Sequence, residues 1–377
     1  MYLCRYADAT IGDVPRVSAV SMIRRFKVSN FRCLESADLD LSHGFNLIYG
    51  ANASGKTSLL EALAYLGRGK SFRGAATTNL IRHGENEFVL FGETESNGRG
   101  QRLGVRNSKD GLEVRVDGSG EGGVAALADA LPLQVIDPEV HNLVAGGPEM
   151  RRRFLDWVAF HVEHDHLHAW RRFRRALKQR NAALRSKASP ALIRSWNAEF
   201  VELSLLLDES RQRALDVAFD SLVEHGAGLL GTELGFTYQQ GWQKDRSLEQ
   251  SLEEGFERDQ QQGATQHGPH RADLKISYDE RQARKLVSRG QQKLLASAMI
   301  LAATETAQTA LERPLLLLLD DPAAELDGDS LGRLLAAVRG LGCQVVASSL
   351  EKNTLETPPG AAVFHVEHGK LVRETAS

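Results

Sequence analysis

Residues 50–57 of the chain read Gly50-Ala51-Asn52-Ala53-Ser54-Gly55-Lys56-Thr57, which matches the pattern G-x-x-x-x-G-K-[ST]. Glycines allow such a loop to wrap closely around a polyphosphate, and its consecutive N–H groups can then face the anionic oxygens. We expect Lys56 to contact the β- and γ-phosphates and Thr57 to ligate Mg²⁺. The segment therefore predicts that residues 50–57 bind a nucleoside triphosphate.

The flanking sequence supports this interpretation. Residues 45–49, Phe-Asn-Leu-Ile-Tyr, read as a short buried strand, and residues 58–64 have the pattern of a helix. A helix that begins at the loop directs its positive N-terminal end at the phosphates. Alternating runs at 37–41, 87–92 and 111–116 predict an antiparallel β lobe beside this α/β core.

The composition limits the class of protein. A chain of 377 residues that is 42% hydrophobic can form one large or two medium domains. Cys4, Cys33 and Cys343 lie far apart without a C-x-x-C pair, which argues against a zinc site and for a reducing cytoplasm. No apolar run approaches the roughly 20 residues of a membrane span, so no membrane segment is expected.

The N-terminal residues 1–21 have no apolar stretch of the kind found in a signal peptide. We expect them to be a disordered or non-native extension. Whether translation starts at Met1 or at Met22 is left open by the sequence.

A basic helical insertion is predicted after residue 140. Residues 151–194 contain twelve lysines or arginines against three acidic residues, with aromatic residues between them. The density of charge indicates a surface for a nucleic-acid backbone, and a solvated helix face is the alternative. The residues predicted to bind DNA are Arg171, Arg172, Arg174, Arg175 and Lys178. The nearby His161, His164, His166 and His168 lack the H-E-x-x-H pattern of a zinc site, and their role is left open.

Two later stretches complete a candidate ATPase site. The run Leu315 to Leu319 is a buried strand that ends in Asp320 and Asp321, and ligands of open α/β sheets bind at the carboxyl ends of strands. Asp320 can hold Mg²⁺ with Thr57, and Asp321 can orient or deprotonate the attacking water. Residues 286–293 open a helix, and they include Ser288, Gly290 and Gln291.

These motifs resemble those of ABC-type ATPases, and their particular forms are similar to the RecF family of bacterial DNA replication and repair proteins. The resemblance covers residue 22 to the C-terminus. It rests on Asn30-Phe31-Arg32, on Gly147-Pro148-Glu149-Met150-Arg151-Arg152-Arg153-Phe154-Leu155-Asp156, on Gly268-Pro269-His270-Arg271-Ala272-Asp273, on Ser288-Arg289-Gly290-Gln291-Gln292-Lys293 and on Leu319-Asp320-Asp321-Pro322-Ala323-Ala324-Glu325-Leu326-Asp327.

The resemblance implies a P-loop ABC-ATPase head at 22–140 and 265–377, with an inserted helical arm domain at 141–264. It implies a dimer that forms on ATP, in which Ser288, Gly290 and Gln291 of one subunit contact the γ-phosphate bound by the other. Asp327 belongs to the nucleotide-contacting set by the same resemblance. It further implies binding to gapped DNA or junctions of single and double strands, and loading of a recombinase with the RecO and RecR partners.

Two departures from ABC ATPases in general predict slow hydrolysis, in which ATP acts as a switch. Asp321 stands where those proteins usually have glutamate, and residues 343–350 contain no switch histidine. RecF-like sequences also tend to lack that histidine. The alternatives are a chromosome-organising SMC-like head, whose arms would be much longer, and another ABC-type ATPase subunit. We expect weak, DNA-stimulated ATPase activity.

Overall fold

The computed structural model describes residues 22–96, 99–278, 281–283 and 287–374, so the expected extension at 1–21 lies outside the described residues. The strands are β1 Met22–Phe31, β2 Leu34–Asp40, β3 Phe45–Tyr49, β4 Glu87–Ser96, β5 Arg99–Ser108, β6 Gly111–Val116, β7 Leu133–Ile136, β8 Leu234–Gln239, β9 Asp273–Tyr278, β10 Arg281–Gln282, β11 Leu316–Leu319, β12 Gln344–Ser349, β13 Ala362–Glu367 and β14 Lys370–Glu374. The helices are α1 Lys56–Arg68, α2 Val124–Ala130, α3 Asn142–Ala145, α4 Pro148–Val162, α5 His166–Arg185, α6 Pro190–Ser195, α7 Asn197–Leu230, α8 Leu248–Glu254, α9 Phe256–Gln262, α10 Arg289–Leu311 and α11 Gly328–Gly340.

A six-stranded sheet in the order β14-β13-β3-β12-β11-β7 places the candidate site. All neighbouring pairs are parallel except β13 and β14, so the carboxyl ends of β3, β12, β11 and β7 lie at one edge. The leucine run of β11 is fully buried, which is the environment that continuous apolar runs indicate. The predicted α/β core is confirmed.

The predicted antiparallel lobe is a five-stranded sheet in the order β2-β1-β4-β5-β6. Its inner face packs on α1, where the rings of Phe31 and Tyr65 lie 5.0 and 5.2 Å from that of Phe88 in edge-to-face contacts. The other face of α1 reaches the central sheet through Ile48 and Leu318 in the same apolar cluster. Helix α1 is therefore fixed between two sheets, and the loop that precedes it is held at both ends.

The insertion consists of helices around α7, whose 34 residues correspond to about 51 Å at 1.5 Å per residue. Its base is continuous with the core of the head, because Leu215 and Leu222 of α7 share an apolar cluster with Leu295 and Met299 of α10. One strand of the 141–264 range, β8, pairs antiparallel with β9 beyond that range. Length and composition alone would let α10 cross a membrane, but it is largely buried among these helices.

Candidate functional site

The loop at residues 50–57 joins β3 to α1 as the sequence predicts. Lys56 folds back over the loop, and its Nζ donates to the carbonyl oxygens of Gly50 at 2.6 Å and Ala51 at 2.9 Å. Burial lowers the pKa of Lys56, while Asp320 and Asp321 counteract that effect. No side chain of the described residues caps the start of α1, so its first N–H groups can bind an anion.

Two glycines of the loop have steric reasons to be glycine. A Cβ at Gly50 would lie 2.2 Å from the carbonyl oxygen of Val366, which is backbone and has no freedom to move aside. Gly55 has a φ of +117°, a conformation that residues with a side chain rarely adopt. The close backbone path that a phosphate-wrapping loop requires is thus built into this chain.

Asp320 connects the loop to the end of β11. The carboxylate is 4% exposed, and its Oδ1 accepts from Thr57 Oγ1 at 3.0 Å and from Ser348 Oγ at 2.8 Å. Burial raises the pKa of Asp320, and the two hydroxyl donors oppose that rise. The residues Thr57 and Asp320, which are distant in sequence, therefore share one point, where a hydroxyl and a carboxylate oxygen suit Mg²⁺.

Thr57 and Asp320 together offer only two ligand groups for Mg²⁺. No group of three or more His, Cys, Asp or Glu side chains in the described ranges could by itself hold a metal. Mg²⁺ commonly takes only one or two protein ligands and completes its shell with phosphate oxygens and water. Thr57 and Asp320 therefore match a cation that arrives with a nucleotide, whereas they would not form a cage for a free one.

Asp321, the expected water-orienting residue, lies beside Asp320 in a left-handed backbone conformation with a φ of +47°. Its N–H donates to Ser348 Oγ at 2.9 Å, so the hydroxyl that donates to Asp320 also fixes the backbone of Asp321. Ser348, near the end of β12, thus holds the carboxylate of Asp320 and the backbone of Asp321. Sequence reasoning noted the absence of histidine in this strand and gave Ser348 no role.

A third carboxylate at this edge, Asp137, was missed by sequence reasoning. It follows β7, whose Ile136 carbonyl accepts from the N–H of Asp320 at 2.8 Å. Burial, with the nearby Asp320 as the next contribution, raises the pKa of Asp137 to about 6. The signal available in the sequence was the four-residue strand before Asp137, which is too short to stand out.

The raised pKa of Asp137 gives a stability prediction. Because an unfolded aspartate titrates near pH 4, the folded state retains the proton between about pH 4 and 6, and stability falls as pH rises through that interval. The cost of the ionised carboxylate is fully present above pH 6. We expect Asp137→Asn to raise the unfolding free energy by about 1–2 kcal/mol at pH 7.5 and to have little effect near pH 4.5.

Urea unfolding at both pH values, with Asp110→Asn in the exposed β5–β6 turn as the control, measures this effect. An equal change at the two pH values would mean that the carboxylate of Asp137 is not protonated more readily in the folded protein.

The three residues predicted to contact the partner's γ-phosphate, Ser288, Gly290 and Gln291, lie at the start of α10. Ser288 caps the helix by accepting from the N–H of Gln291 at 3.3 Å, and Gln291 Oε1 accepts from the N–H of Ser288 at 2.9 Å. Ser288 is exposed and Gly290 is half-buried, so the start of α10 lies at the surface, and the first-turn N–H groups that the capping leaves free would be available to an anion. Their contact with a nucleotide stays a prediction.

Asp327 also acts as a helix cap in this chain. It precedes α11, and its carboxylate accepts from the N–H of Ser330 at 2.8 Å and from Ser330 Oγ at 3.0 Å. These donors lower the pKa of Asp327. Its predicted contact with nucleotide would therefore be made by a carboxylate that is already held by α11.

The predicted DNA-binding residues are all exposed on α5. Arg171, Arg174, Arg175 and Lys178 follow the i, i+3, i+4, i+7 spacing of one helix face, and within the described part of the chain none of them forms an ion pair. Arg172 lies 3.9 Å from Glu199. Arg174 stacks 4.8 Å above the ring of Trp170.

Other cations of this region have structural roles. Arg151 bonds Asp273 at 2.7 Å, and Arg180 is fully buried, bonding Asp259 at 2.8 Å and Thr265 at 2.7 Å. The local excess of positive charge counted in the sequence therefore overstates the charge at the surface. Arg180 joins α5 to α9 through its contact with Asp259.

The four histidines do not converge. His164 and His168 are exposed, whereas His161 is buried and its pKa is lowered to about 3 by that burial. His166 lies with Nδ1 2.8 Å from Ser210 Oγ and Nε2 3.5 Å from an oxygen of Asp156. The two buried histidines lie in separate surroundings, because the ring of His161 packs against those of Trp157 and Phe160.

Comparisons with known proteins agree with this geometry. The family model described as RecF/RecN/SMC N terminal domain matches residues 22–370. The DNA replication and repair protein RecF of Yersinia pseudotuberculosis is 40% identical over 353 residues, which cover 93% of this chain and 98% of that protein.

Solved structures share the fold. A structure of the recombination mediator protein RecF with ATP, in the RecFOR pathway, has a TM-score of 0.87 at 23% identity, covering 96% of this chain and 100% of that one. An Smc head domain from Pyrococcus furiosus, bound to the C-terminal domain of ScpA, has a TM-score of 0.59 at 16% identity, covering 94% and 96%.

Proposed function

The chain belongs to the RecF family of DNA replication and repair proteins, and from this premise we propose that it is an ATP-gated DNA clamp. Two heads would enclose two Mg-ATP molecules, close their helical arms about DNA, and release it after slow hydrolysis. The observation that carries the proposal is the hydrogen bond between Thr57 and Asp320, which joins the loop and the β11 carboxylate at one ligand point.

ATP would be held by the loop amides and Lys56, with Mg²⁺ ligated by Thr57 and Asp320. The cation would supply charge neutralisation on the β- and γ-phosphates. Asp321 would orient the attacking water, and Ser348 would hold the Asp320 carboxylate and the Asp321 backbone in place. A similar protein is known in complex with ATP, which supports ATP as the nucleotide, because the loop itself recognises phosphates.

Dimer formation on ATP would bring Ser288, Gly290 and Gln291 of one subunit to the γ-phosphate bound by its partner. The exposed start of α10 supports this role, since helix N-termini bind anions. The division into a head at 22–140 and 265–377 and an arm at 141–264 belongs to the same proposal. Apolar contacts between α7 and α10 support an arm that would be anchored in the core of the head.

DNA would lie on the basic face of α5. Junctions of single and double strands in gapped DNA are the proposed target, with RecO and RecR as partners in recombinase loading in the cytoplasm. Membership of relatives in a RecFOR pathway supports these partners. An SMC-like chromosome-organising head is disfavoured, because α7 reaches only about 51 Å.

Charge reversal on α5 tests the DNA surface. We expect Arg174→Glu with Arg175→Glu to weaken binding to gapped DNA at least tenfold at 0.1 M salt, and to reduce the slope of log affinity against log salt by about two, because two phosphate contacts are lost. Fluorescence anisotropy over a salt series measures both quantities.

The matched control is Arg102→Glu with Arg115→Glu, two exposed arginines on the outer face of the β lobe. Equal weakening by both double variants would indicate a general charge effect and would contradict a specific role for α5.

Sedimentation with and without Mg-ATP, repeated with gapped DNA, tests the clamp as a whole. A monomer that becomes a dimer only with ATP, and more readily on DNA, is the expected result. A protein that stays monomeric while turning ATP over quickly would contradict it.

A further inference from the structure

A buried lysine lies where α10 meets the segment that follows Asp321. Lys293, in the second turn of α10, is fully buried, and its Nζ donates to the carbonyl oxygen of Ala324 at 2.5 Å. Burial lowers the pKa of Lys293, whereas nearby carboxylates raise it; these are Glu325, Asp321, Asp137 and Asp320. The ammonium thus joins α10 to the segment that follows Asp320 and Asp321 in the same chain.

Two further contacts join the same elements. Arg289 Nε lies 3.2 Å from a carboxylate oxygen of Glu325, and a Cβ on Gly290 would lie 3.3 Å from the carbonyl oxygen of Glu325. Glu325 has a φ of +66°, a backbone conformation that a non-glycine residue keeps only when its surroundings hold it. The first turn of α10 therefore packs directly on residues 324–325.

The contact between the start of α10 and residues 324–325 lies between two groups of residues with different proposed roles. At one end are Ser288 and Gln291, which would contact the ATP of the partner subunit. At the other end, residues 324–325 follow closely after Asp321, which would act on the ATP of its own subunit. These contacts would pass a displacement of the first turn of α10 to the backbone that carries Asp321.

We propose that Lys293 is a positioning residue that couples engagement of the partner's ATP by α10 to alignment of Asp321 in its own subunit. The inference rests on the proposed ATP-dependent dimer. A lysine serves this purpose because its buried ammonium requires oxygen partners, and the carbonyl of Ala324 is the partner that must move with it.

The test compares Lys293→Met, which keeps the length and apolar volume of the side chain, with Lys293→Arg, which restores a cationic donor. We expect Lys293→Met to bind ATP within twofold of the native affinity and to form the ATP-dependent dimer, while kcat falls at least tenfold. Lys293→Arg should recover most of kcat. The control is Lys109→Met, at an exposed position in the β5–β6 turn.

Hydrogen exchange gives a signature that a purely structural role would not produce. On ATP-driven dimerisation, amides of residues 323–327 and 289–292 should slow together in the native protein. In Lys293→Met, those of 289–292 should slow while those of 323–327 stay fast. Equal protection of both segments in Lys293→Met, or a native kcat, would overturn the inference.

If Lys293→Met does not fold, a second variant tests the same coupling. Glu325→Gln weakens the contact between α10 and residues 324–325 from an exposed position, and we expect kcat to fall about threefold at native ATP affinity. A native kcat in Glu325→Gln would then overturn the inference. Failure of the native protein to dimerise with ATP would instead refute the clamp, so the two failures are distinguishable by sedimentation of the same samples.

Discussion

Replacing Lys56 with alanine is expected to weaken ATP binding at least 100-fold and to abolish ATP-dependent dimerisation. The ammonium lies against the carbonyls of Gly50 and Ala51, in the mouth of the loop, where it would meet the β- and γ-phosphates. A hundredfold loss corresponds to about 2.7 kcal/mol, which is within the range of a charge-assisted contact to phosphate.

The fold itself should tolerate Lys56→Ala. Within the described ranges the side chain donates hydrogen bonds only to loop carbonyls, and the loop is shaped by its glycines and by the sheets on either side of α1. Titration with a fluorescent ATP analogue measures affinity, and Lys109→Ala in the β5–β6 turn is the control. Retention of ATP binding within threefold would contradict the assignment of the loop.

Asp321→Asn is expected to reduce hydrolysis by about 10²- to 10³-fold and to trap the ATP-bound dimer, since a general base or water-orienting group contributes on that scale. Asparagine is the appropriate substitution because it keeps the shape of aspartate and tolerates the left-handed backbone found at φ +47°. The N–H bond to Ser348 is retained, so Asp320 remains in place.

Single-turnover hydrolysis and sedimentation with ATP measure the two halves of this prediction. Asp329→Asn, in the exposed first turn of α11, is the control for removal of a negative charge nearby. Hydrolysis at the native rate in Asp321→Asn would mean that another group orients the water, and Asp137 would be the next residue to substitute.

Continuous local patterns made the core predictable. The strand Phe45–Tyr49, the loop, α1 and the leucine strand each have a period or composition that a short window contains. The alternation at 37–41, 87–92 and 111–116 predicted the β lobe for the same reason. Carboxylates directly after an apolar strand indicated the correct edge of the sheet.

The details of the site depended on contacts that no short window contains. Thr57 and Asp320 are 263 positions apart, and Ser348 reaches Asp320 from a different strand. Asp137 lies beside them because β7 pairs with β11. A short window of sequence does not show which strands pair. The sequence also does not distinguish Arg180, which is buried, from the exposed arginines of the same helix.

The pairing of β8 with β9 determines how this chain can be divided. An excised head that ended at the boundaries of the 141–264 insertion would lose β8 and leave β9 with a row of unpaired N–H and C=O groups. Such an open strand edge recruits other chains, so the shortened protein would aggregate. Six residue pairs between β8 and β9 therefore join residues 234–239 to the strand at 273–278, and a shortened protein has to keep both strands.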